Sequence, residues 1–189
     1  MNERSLSLVL GAIDASASDA DEVEQLVTQL FEELCHPVFR YVRGFVRDTT
    51  MARDLTQEVF VRLCTELAAG RRLTNVRAWL FRIAHNLAID EQRRLRVREA
   101  HEDSSEAADF AFLFFSDPSP SVEHELLRRE RYEWLRQAMH TLSAQERRCL
   151  FLRAQGLRYR EIAEVLDIKL PTVVTFLTRA IQKLAKACP

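Results

Sequence analysis

Residues 160–173 read REIAEVLDIKLPTV, and this short stretch has the pattern of two helices joined by a tight turn. Its first half predicts a short helix, because its apolar side chains recur on one helical face: Ile162, Ala163 and Leu166. Asp167 follows, and aspartate tolerates the left-handed backbone that a tight turn requires. Pro171 suits the first turn of a second helix. Two helices joined in this way can hold the second against the major groove, so the stretch predicts a DNA-binding helix–turn–helix.

The flanking residues extend the motif to three helices within residues 143–186. Ser143 and Glu146 have the spacing of a capping box, which predicts where the first helix begins. Gly156 can end that helix in the left-handed conformation. The third helix is predicted to bury one apolar stripe: Val173, Leu177, Ala180, Ile181 and Leu184. A plain three-helix packing unit stays open as the alternative, because helix spacing alone is not specific.

The composition of the whole chain predicts an all-α protein. Its 189 residues include only four glycines and five prolines, and no run of alternating β-branched residues predicts a strand. No stretch approaches the length of a transmembrane span, so we expect no membrane insertion. The four cysteines form no CxxC pair, which favours a reducing cytoplasm. No residue pattern predicts a metal, a cofactor or a catalytic site.

We expect two small helical domains joined by an acidic linker. The predicted parts are a flexible leader, a first domain, the linker and a helix–turn–helix domain, at residues 1–20, 21–98, 99–121 and 122–189. In the first domain Pro37 is expected to kink or split the first helix. Thr50 and Asn75 are expected to cap the second and third helices. The second helix should end near Gly70 and the third near Arg94.

Charge is distributed in blocks along the chain, although the net charge is only −1. Residues 71–98 carry eight arginines against two acids, and residues 126–189 carry thirteen basic side chains against six acidic ones. Between them, residues 99–125 carry eight acids and no Lys or Arg. Two basic blocks suggest two contacts with one polyanion, and ordinary solvated faces are the alternative. The linker also contains the run FAFLFF at 110–115, which we expect to pack on its own domains or on a partner.

Two segments of the first domain resemble bacterial sigma factors. The run DLTQEVFVRL at 54–63 resembles the sigma helix that grips the clamp of RNA polymerase, and AWLFRIAHNLAID at 78–90 resembles the helix that opens promoter DNA. The helix–turn–helix resembles the fourth conserved region of sigma factors. With no long domain in between, the layout is similar to the extracytoplasmic-function (ECF) group. The resemblance covers residues 21–98 and 122–186.

The resemblance implies core RNA polymerase, through its clamp and flap, and promoter DNA as partners. The predicted polymerase-binding residues lie on or beside the face of the second helix that is turned away from its apolar side: Asp54, Gln57, Glu58, Val61 and Arg62. An acidic and polar surface of this kind suits a basic partner helix, and a solvated helix face is the alternative. Members of the group are often held inactive by an anti-sigma factor, which is a further candidate partner.

The loop at 69–77 and the helix after it are expected to open the minus-ten element. Arginines there would neutralise phosphates and track the single strand, while a pocket would hold an extruded base. The candidate contacts are Arg71, Arg72, Thr74, Asn75, Arg77, Arg82, Asn86, Arg93 and Arg94. Trp79 is expected to be a core residue because its register matches that of Ile83, and His85 is expected to lie on the surface. Asn86 has a second interpretation, as a buried hydrogen-bonding residue.

The recognition helix departs from the family pattern. Lys169 is a poor helix cap, and Val174 and Phe176 replace polar or cationic residues that many members have. The face opposite its apolar stripe carries the candidate contacts with the minus-thirty-five element: Thr172, Thr175, Thr178, Arg179 and Gln182. Threonine methyls suit thymine and Gln182 suits adenine, but few of these side chains can clamp phosphate. Arg158 and Arg160 on the preceding helix are expected to support the contact.

The sequence therefore favours a sigma factor that directs polymerase to promoters and has no catalytic residues of its own. The alternative is a helix–turn–helix regulator that does not bind polymerase, which predicts a sensor or dimerisation domain at the N-terminus. An enzyme is a third hypothesis, disfavoured because no phosphate loop, metal-spaced ligand set or nucleophile motif is present.

Overall fold

The computed structural model describes residues 19–46, 48–98 and 137–187, and all regular structure in these ranges is helical. Six helices are assigned there: α1 Asp19–Arg43, α2 Thr49–Ala68, α3 Val76–Arg98, α4 Ala144–Ala154, α5 Tyr159–Leu166 and α6 Leu170–Ala187. Residues 137–140 form a further helical turn. The predicted all-α class is confirmed. None of the described helices is both long and apolar enough to cross a membrane.

Helices α1, α2 and α3 pack on one another to form the first domain. Each contributes an apolar stripe whose side chains are fully or nearly fully buried, as at Leu34, Leu63 and Leu80. Helix α1 continues through Pro37, so the expected split at this residue does not occur.

The ends of α2 are set by local hydrogen bonds. Thr50 is not its cap: the Asp48 side chain accepts a hydrogen bond from the Thr50 backbone N–H at 2.9 Å, so the helix begins earlier than expected. At the other end the Gly70 and Arg71 N–H groups donate to the Leu67 and Glu66 carbonyls at 2.9 and 3.1 Å. This closing turn needs a positive φ, which Gly70 supplies at 72°. It turns the chain directly into the basic loop that precedes α3.

The helix–turn–helix is formed as expected. The Ser143–Glu146 capping box opens α4, and Gly156, with a φ of 86°, follows its last turn. Asp167 adopts the left-handed conformation between α5 and α6 at a φ of 51°. Along α6 the predicted stripe is buried at Val173, Leu177 and Ala180. It fails at Ile181, which is 57% exposed.

The two domains share one continuous apolar core in this structure. The cluster of buried side chains that begins in α1 runs without interruption into α4, α5 and α6. Helix α3 packs against α5. The Phe151 ring of α4 lies 5.4 Å from the Tyr41 ring of α1 and 6.2 Å from the Phe81 ring of α3, between ring centroids. The sequence predicted two domains but gave no sign that they would close on each other.

Several expectations concern other parts of the chain. The leader at 1–18 and the linker at 99–121, with its FAFLFF run, lie outside the described residues, as does the start of the second domain up to residue 136. The domain limits therefore stay predictions.

Candidate nucleic-acid interface

The basic loop between α2 and α3 is exposed. Arg71, Arg72 and Thr74 all have exposed side chains, whereas Leu73 between them is half-buried and anchors the loop. The Arg71 guanidinium lies 3.0 Å from the Glu66 carboxylate. An exposed ion pair of this kind is weak, about 0–1 kcal/mol, so it leaves Arg71 available to a phosphate.

Asn75 caps α3 and also bridges the two domains. Its Oδ1 accepts a hydrogen bond from the Ala78 N–H at 3.0 Å, which confirms the predicted cap. Its Nδ2 donates to the Glu161 Oε1 of α5 at 2.8 Å. Asn75, a candidate DNA contact, thus donates one amide hydrogen to a carboxylate of the second domain.

The arginines of α3 have two kinds of surroundings. Arg77 is half-buried, pairs with Glu33 and donates to the Gln155 carbonyl of the second domain at 3.4 Å. Arg82 is exposed. Arg93 and Arg94 lie near the far end of the helix and reach the Asp90 and Glu91 carboxylates at 3.7 and 3.3 Å.

Asn86 and Trp79 differ from part of what was expected. Asn86 is exposed, so its alternative interpretation as a buried residue is wrong. Trp79 is only half-buried, because it borders the space between the domains instead of filling the centre of the first domain.

The recognition face of α6 is exposed, apart from its first member. Thr172 is half-buried, and Thr175, Thr178, Arg179 and Gln182 are exposed. The Thr175 hydroxyl donates to the Pro171 carbonyl at 2.9 Å, so its oxygen stays available as an acceptor and its methyl group as an apolar contact. Arg158 and Arg160, at the start of α5, are also exposed.

One groove of about 870 Å³ brings together candidate DNA contacts from both domains. Four come from the first domain and two from the second: Arg72, Thr74, Asn75, Arg82, Arg158 and Arg160. The other ten members of the set do not line it: Arg71 lies in the loop, and the remaining nine lie along α3 and α6. The groove is rich in arginine and therefore suits an anionic ligand.

Several residues that line this groove were not predicted from the sequence. Glu161 occupies the capping-box position of α5, where its Oε2 accepts a hydrogen bond from the Arg158 N–H at 2.6 Å. Its position in the sequence does not indicate that it also bonds to Asn75 of the first domain. Tyr159, Leu170 and Val174 also line the groove with partly exposed apolar surface. For these apolar side chains, the one indication in the sequence was that Val174 departs from the family pattern.

An aromatic seam, formed by Tyr41, Phe45, Phe81, His85 and Phe151, closes the interface beside the groove. The Tyr41 hydroxyl and the His85 Nδ1 lie 3.0 Å apart, and the Arg148 guanidinium of α4 stands 4.4 Å from the Phe45 ring centroid. His85 is buried, so its expected surface position is wrong.

Burial also shifts the ionisation of the seam. Burial, aided by the nearby Arg148 charge, lowers the pKa of His85 to about 4. Burial raises the pKa of Tyr41 and raises that of the neighbouring Cys149 thiol to about 12. The seam is therefore neutral at pH 7 except for Arg148, and it suits packing better than proton transfer.

The candidate polymerase face of α2 is open to solvent. Asp54, Gln57 and Arg62 are exposed, Val61 is 51% exposed, and Glu58 is partly exposed. The Arg62 Nε and the Glu58 Oε1 form an exposed ion pair at 2.8 Å. Among the described residues, no group of His, Cys, Asp and Glu side chains has the arrangement of a metal site.

Two family models match the chain in the order that the motifs predicted. Residues 30–98 match Sigma-70 region 2, and residues 132–184 match Sigma-70 region 4. The chain is 34% identical to the RNA polymerase sigma factor YlaC of Bacillus subtilis, over 88% of this chain and 91% of that protein. The chain belongs to the ECF sigma factors. Sigma factors direct polymerase to promoters and are not enzymes, so the groove lies between region 2 and region 4 of a promoter-directing protein.

Further relatives support the same family. The ECF RNA polymerase sigma factor BldN of Streptomyces coelicolor is 29% identical over 93% of this chain, which spans 63% of that protein. Among solved structures, the sigma factor RpoE in complex with the anti-sigma factor NepR from Bartonella quintana matches with a TM-score of 0.60 at 20% identity, covering 84% of this chain and 96% of that one. CnrH in complex with the cytosolic domain of CnrY matches with a TM-score of 0.53 at 20% identity, covering 97% and 95%. At these identities the two structures bear on the fold alone.

Proposed function

We propose that this sigma factor binds core RNA polymerase through the exposed face of α2, opens the minus-ten element with the 69–77 loop and α3, and contacts the minus-thirty-five element with α6. The observation that carries the proposal is the exposure of three separate surfaces: the polar face of α2, Arg71 and Arg72 of the 69–77 loop, and the recognition face of α6. A regulator that does not bind polymerase would leave the separate polar face of α2 without a role.

The α2 face fits a basic partner helix on the polymerase clamp. Its carboxylates at Asp54 and Glu58 are accessible, and Val61 gives the patch an apolar centre. Complementary charge of this kind raises the association rate and fixes the register of a complex more than it adds affinity. Region 4 is proposed to contact the flap, as in the family.

The 69–77 loop is proposed to open the promoter. Unstacking a base step costs a few kcal/mol, which the protein must offset with contacts that exist only in the open strand. Exposed Arg71 and Arg72 suit the phosphates of that strand. Trp79, half-buried at the edge of the groove, offers a ring on which an extruded base can stack.

Region 4 is proposed to make the weaker DNA contact. Its recognition face offers threonine methyls, Arg179 and Gln182, and the arginines at 158 and 160 add phosphate contacts from the start of α5. This arrangement predicts a minus-thirty-five preference that depends on thymine and adenine more than on guanine.

Control by an anti-sigma factor and a cytoplasmic location complete the proposal. Both structural neighbours were solved with an anti-sigma or a cytosolic partner domain, in proteins that share this fold. A groove lined by arginines and by partly exposed apolar side chains suits an acidic, amphipathic partner segment.

Reconstituted transcription tests the proposal. Purified chain added to core polymerase is expected to give promoter-specific transcripts, which core alone does not give. Asp54→Ala with Glu58→Ala should weaken the complex about tenfold on gel filtration or by titration without unfolding the chain. Arg71→Ala with Arg72→Ala should leave that complex intact but reduce permanganate-reactive open promoter about tenfold, since charged hydrogen bonds to the strand are lost.

Lys186→Ala, which removes an exposed cation from the last turn of α6, is the matched control for the arginine pair. Absence of any complex with core polymerase would refute the sigma assignment. Equal loss of complex and of open promoter in the arginine variant would refute the separate role of the loop.

A further inference from the structure

The first half of the recognition helix α6 carries no charged side chain. Residues 170–178 read LPTVVTFLT, and the first arginine of the helix is Arg179. In a helix–turn–helix, the N-terminal residues of the recognition helix are the ones that contact base edges. Guanine is read there by paired hydrogen bonds from arginine or lysine. The base-contacting half of α6 therefore cannot read guanine in this way.

The exposed side chains of this half all carry methyl groups. Val174 is 42% exposed, and Thr175 and Thr178 are exposed. Positions three or four apart are neighbours on a helix surface, so Thr178 lies beside both of the others. Phe176 is half-buried and packs against the core. Three neighbouring side chains thus form an uncharged surface that is rich in methyl groups.

The hydroxyl group of Thr175 already has a partner. Its Oγ1 donates to the Pro171 carbonyl at 2.9 Å, and a hydroxyl has only one hydrogen to donate. The bond also selects one rotamer of a β-branched side chain, which fixes the position of the Thr175 methyl group. Thr175 therefore presents to DNA a methyl group in a defined place and an oxygen that can only accept a hydrogen bond.

Thymine is the base that suits such a surface. It is the one DNA base with a methyl group at the edge that faces the major groove. Contact between two methyl groups removes both from water, and burial of one group of this size strengthens binding about fourfold. Guanine instead presents the acceptors N7 and O6, which would face an oxygen that has no hydrogen to donate.

We propose that Thr175, with Thr178 beside it, selects thymine in the minus-thirty-five element by contact with the thymine C5-methyl group. The inference rests on the proposed function, in which α6 contacts this element, and it names the side chain that determines the sequence preference. Adenine and cytosine offer the Thr175 oxygen an amino group instead, and substitution of Thr175 separates that contact from the methyl contact.

The experiment uses the full chain with core polymerase. The holoenzyme first selects promoters from duplexes that are randomised over the minus-thirty-five region. A selected promoter is then synthesised with deoxyuridine in place of thymidine, one position at a time. This change removes the C5-methyl group but keeps the O4 acceptor and the base pairing. The ratio of the two dissociation constants, for deoxyuridine over thymidine, is measured by competition for each protein variant.

In the native chain, this ratio should be about four at one position of the element. Thr175→Ser removes the protein methyl group and keeps the hydroxyl, so the ratio there should fall toward one. Thr175→Val keeps a methyl group and removes the oxygen, so the ratio should persist. Thr65→Ser is the matched control, because Thr65 is also exposed on a helix and its hydroxyl donates to the Val61 carbonyl at 3.0 Å. It lies on α2 and should leave the ratio unchanged.

A selected element without thymine, or a ratio of one at every position in the native chain, would overturn the inference. An unchanged ratio in Thr175→Ser would also overturn it, and loss of the ratio in Thr175→Val would assign the reading to the oxygen. Both DNAs are compared on the same protein, so a variant that is partly unfolded still gives a valid ratio. Selection of a promoter without any effect of deoxyuridine would leave the proposed function standing, whereas failure to select any promoter would refute both.

Discussion

The α2 face is exposed to solvent, whereas the groove between regions 2 and 4 is lined by side chains of both regions. The first is a candidate polymerase surface and the second carries candidate DNA contacts. The side chains of α2 from Asp54 to Arg62 that make up the first face point into solvent. Many of the candidate DNA contacts instead face the other domain, and Asn75 and Arg77 bond to it. The difference indicates that the α2 face is accessible to a partner in this arrangement, whereas part of the candidate DNA surface is in contact with the other domain.

The largest expected effect comes from removing the ring that joins the two regions. Phe151→Ala should lower the free energy of unfolding by about 3–5 kcal/mol, because it empties a fully buried site in the aromatic seam. Phe31, which is 46% exposed and packs edge-on against Phe60 of α2, provides the comparison. Phe31→Ala should cost only roughly 1–1.5 kcal/mol, since about half of its surface is already in water. Urea unfolding followed by circular dichroism measures both.

Equal losses of unfolding free energy in the two variants would show that Phe151 is not closely packed in the aromatic seam. A smaller loss in Phe151→Ala, together with a larger radius of gyration, would instead mean that the ring holds the domains together without supporting either one. Within either domain, stability would then depend little on Phe151, and the polar bonds from Asn75 and Arg77 would be the remaining evidence for a specific contact between the regions.

A smaller effect is expected from acidification. Because folding lowers the pKa of His85 from 6.5 to about 4, the unfolded chain binds a proton that the folded chain lacks between these pH values. Stability is therefore expected to fall as the pH drops through this window, by at most about 3 kcal/mol, since one pH step is worth about 1.4 kcal/mol. The nearby Arg148 charge opposes protonation of the imidazole, and the neutral Tyr41 hydroxyl offers it no countercharge.

His85→Gln is the control for this pH dependence. Glutamine is neutral throughout, so the variant should lose less stability than the native chain between pH 7 and pH 4.5, whatever its stability at pH 7. Urea midpoints at the two pH values give the difference. Identical pH dependence in the two chains would show that His85 is accessible to protons in the folded state.

Local signals predicted the helices and their ends well. The Ser143–Glu146 box, the turn at Asp167 and the cap at Asn75 depend on neighbours within a few residues, so their spacing carries the information. The errors at the ends were also local: Asp48 competes with Thr50 for the first turn of α2 and is the better cap.

The predictions that failed depend on contacts distant in sequence. His85 packs against Tyr41 and Phe45 of the first domain, and Trp79 borders the groove between the two regions. The helical period of α3 does not report either contact. Ile181 fits the stripe of α6 but remains 57% exposed. The hydrogen bond between Asn75 and Glu161 joins residues 86 positions apart. The sequence around each residue therefore predicts only a helix-capping role. The sequence therefore names candidate residues, which stay predictions, but it does not show that several of them from both regions line one groove.

The most direct measurement of this account uses a photo-cross-linking amino acid in place of Thr74, which is exposed and lines the groove. In the free chain, the account predicts an intramolecular cross-link to residues 158–174 of region 4. In the complex with core polymerase and promoter DNA, it predicts that this cross-link is replaced by one to the minus-ten strand. A cross-link to region 4 that persists in the promoter complex, with none to DNA, would contradict it.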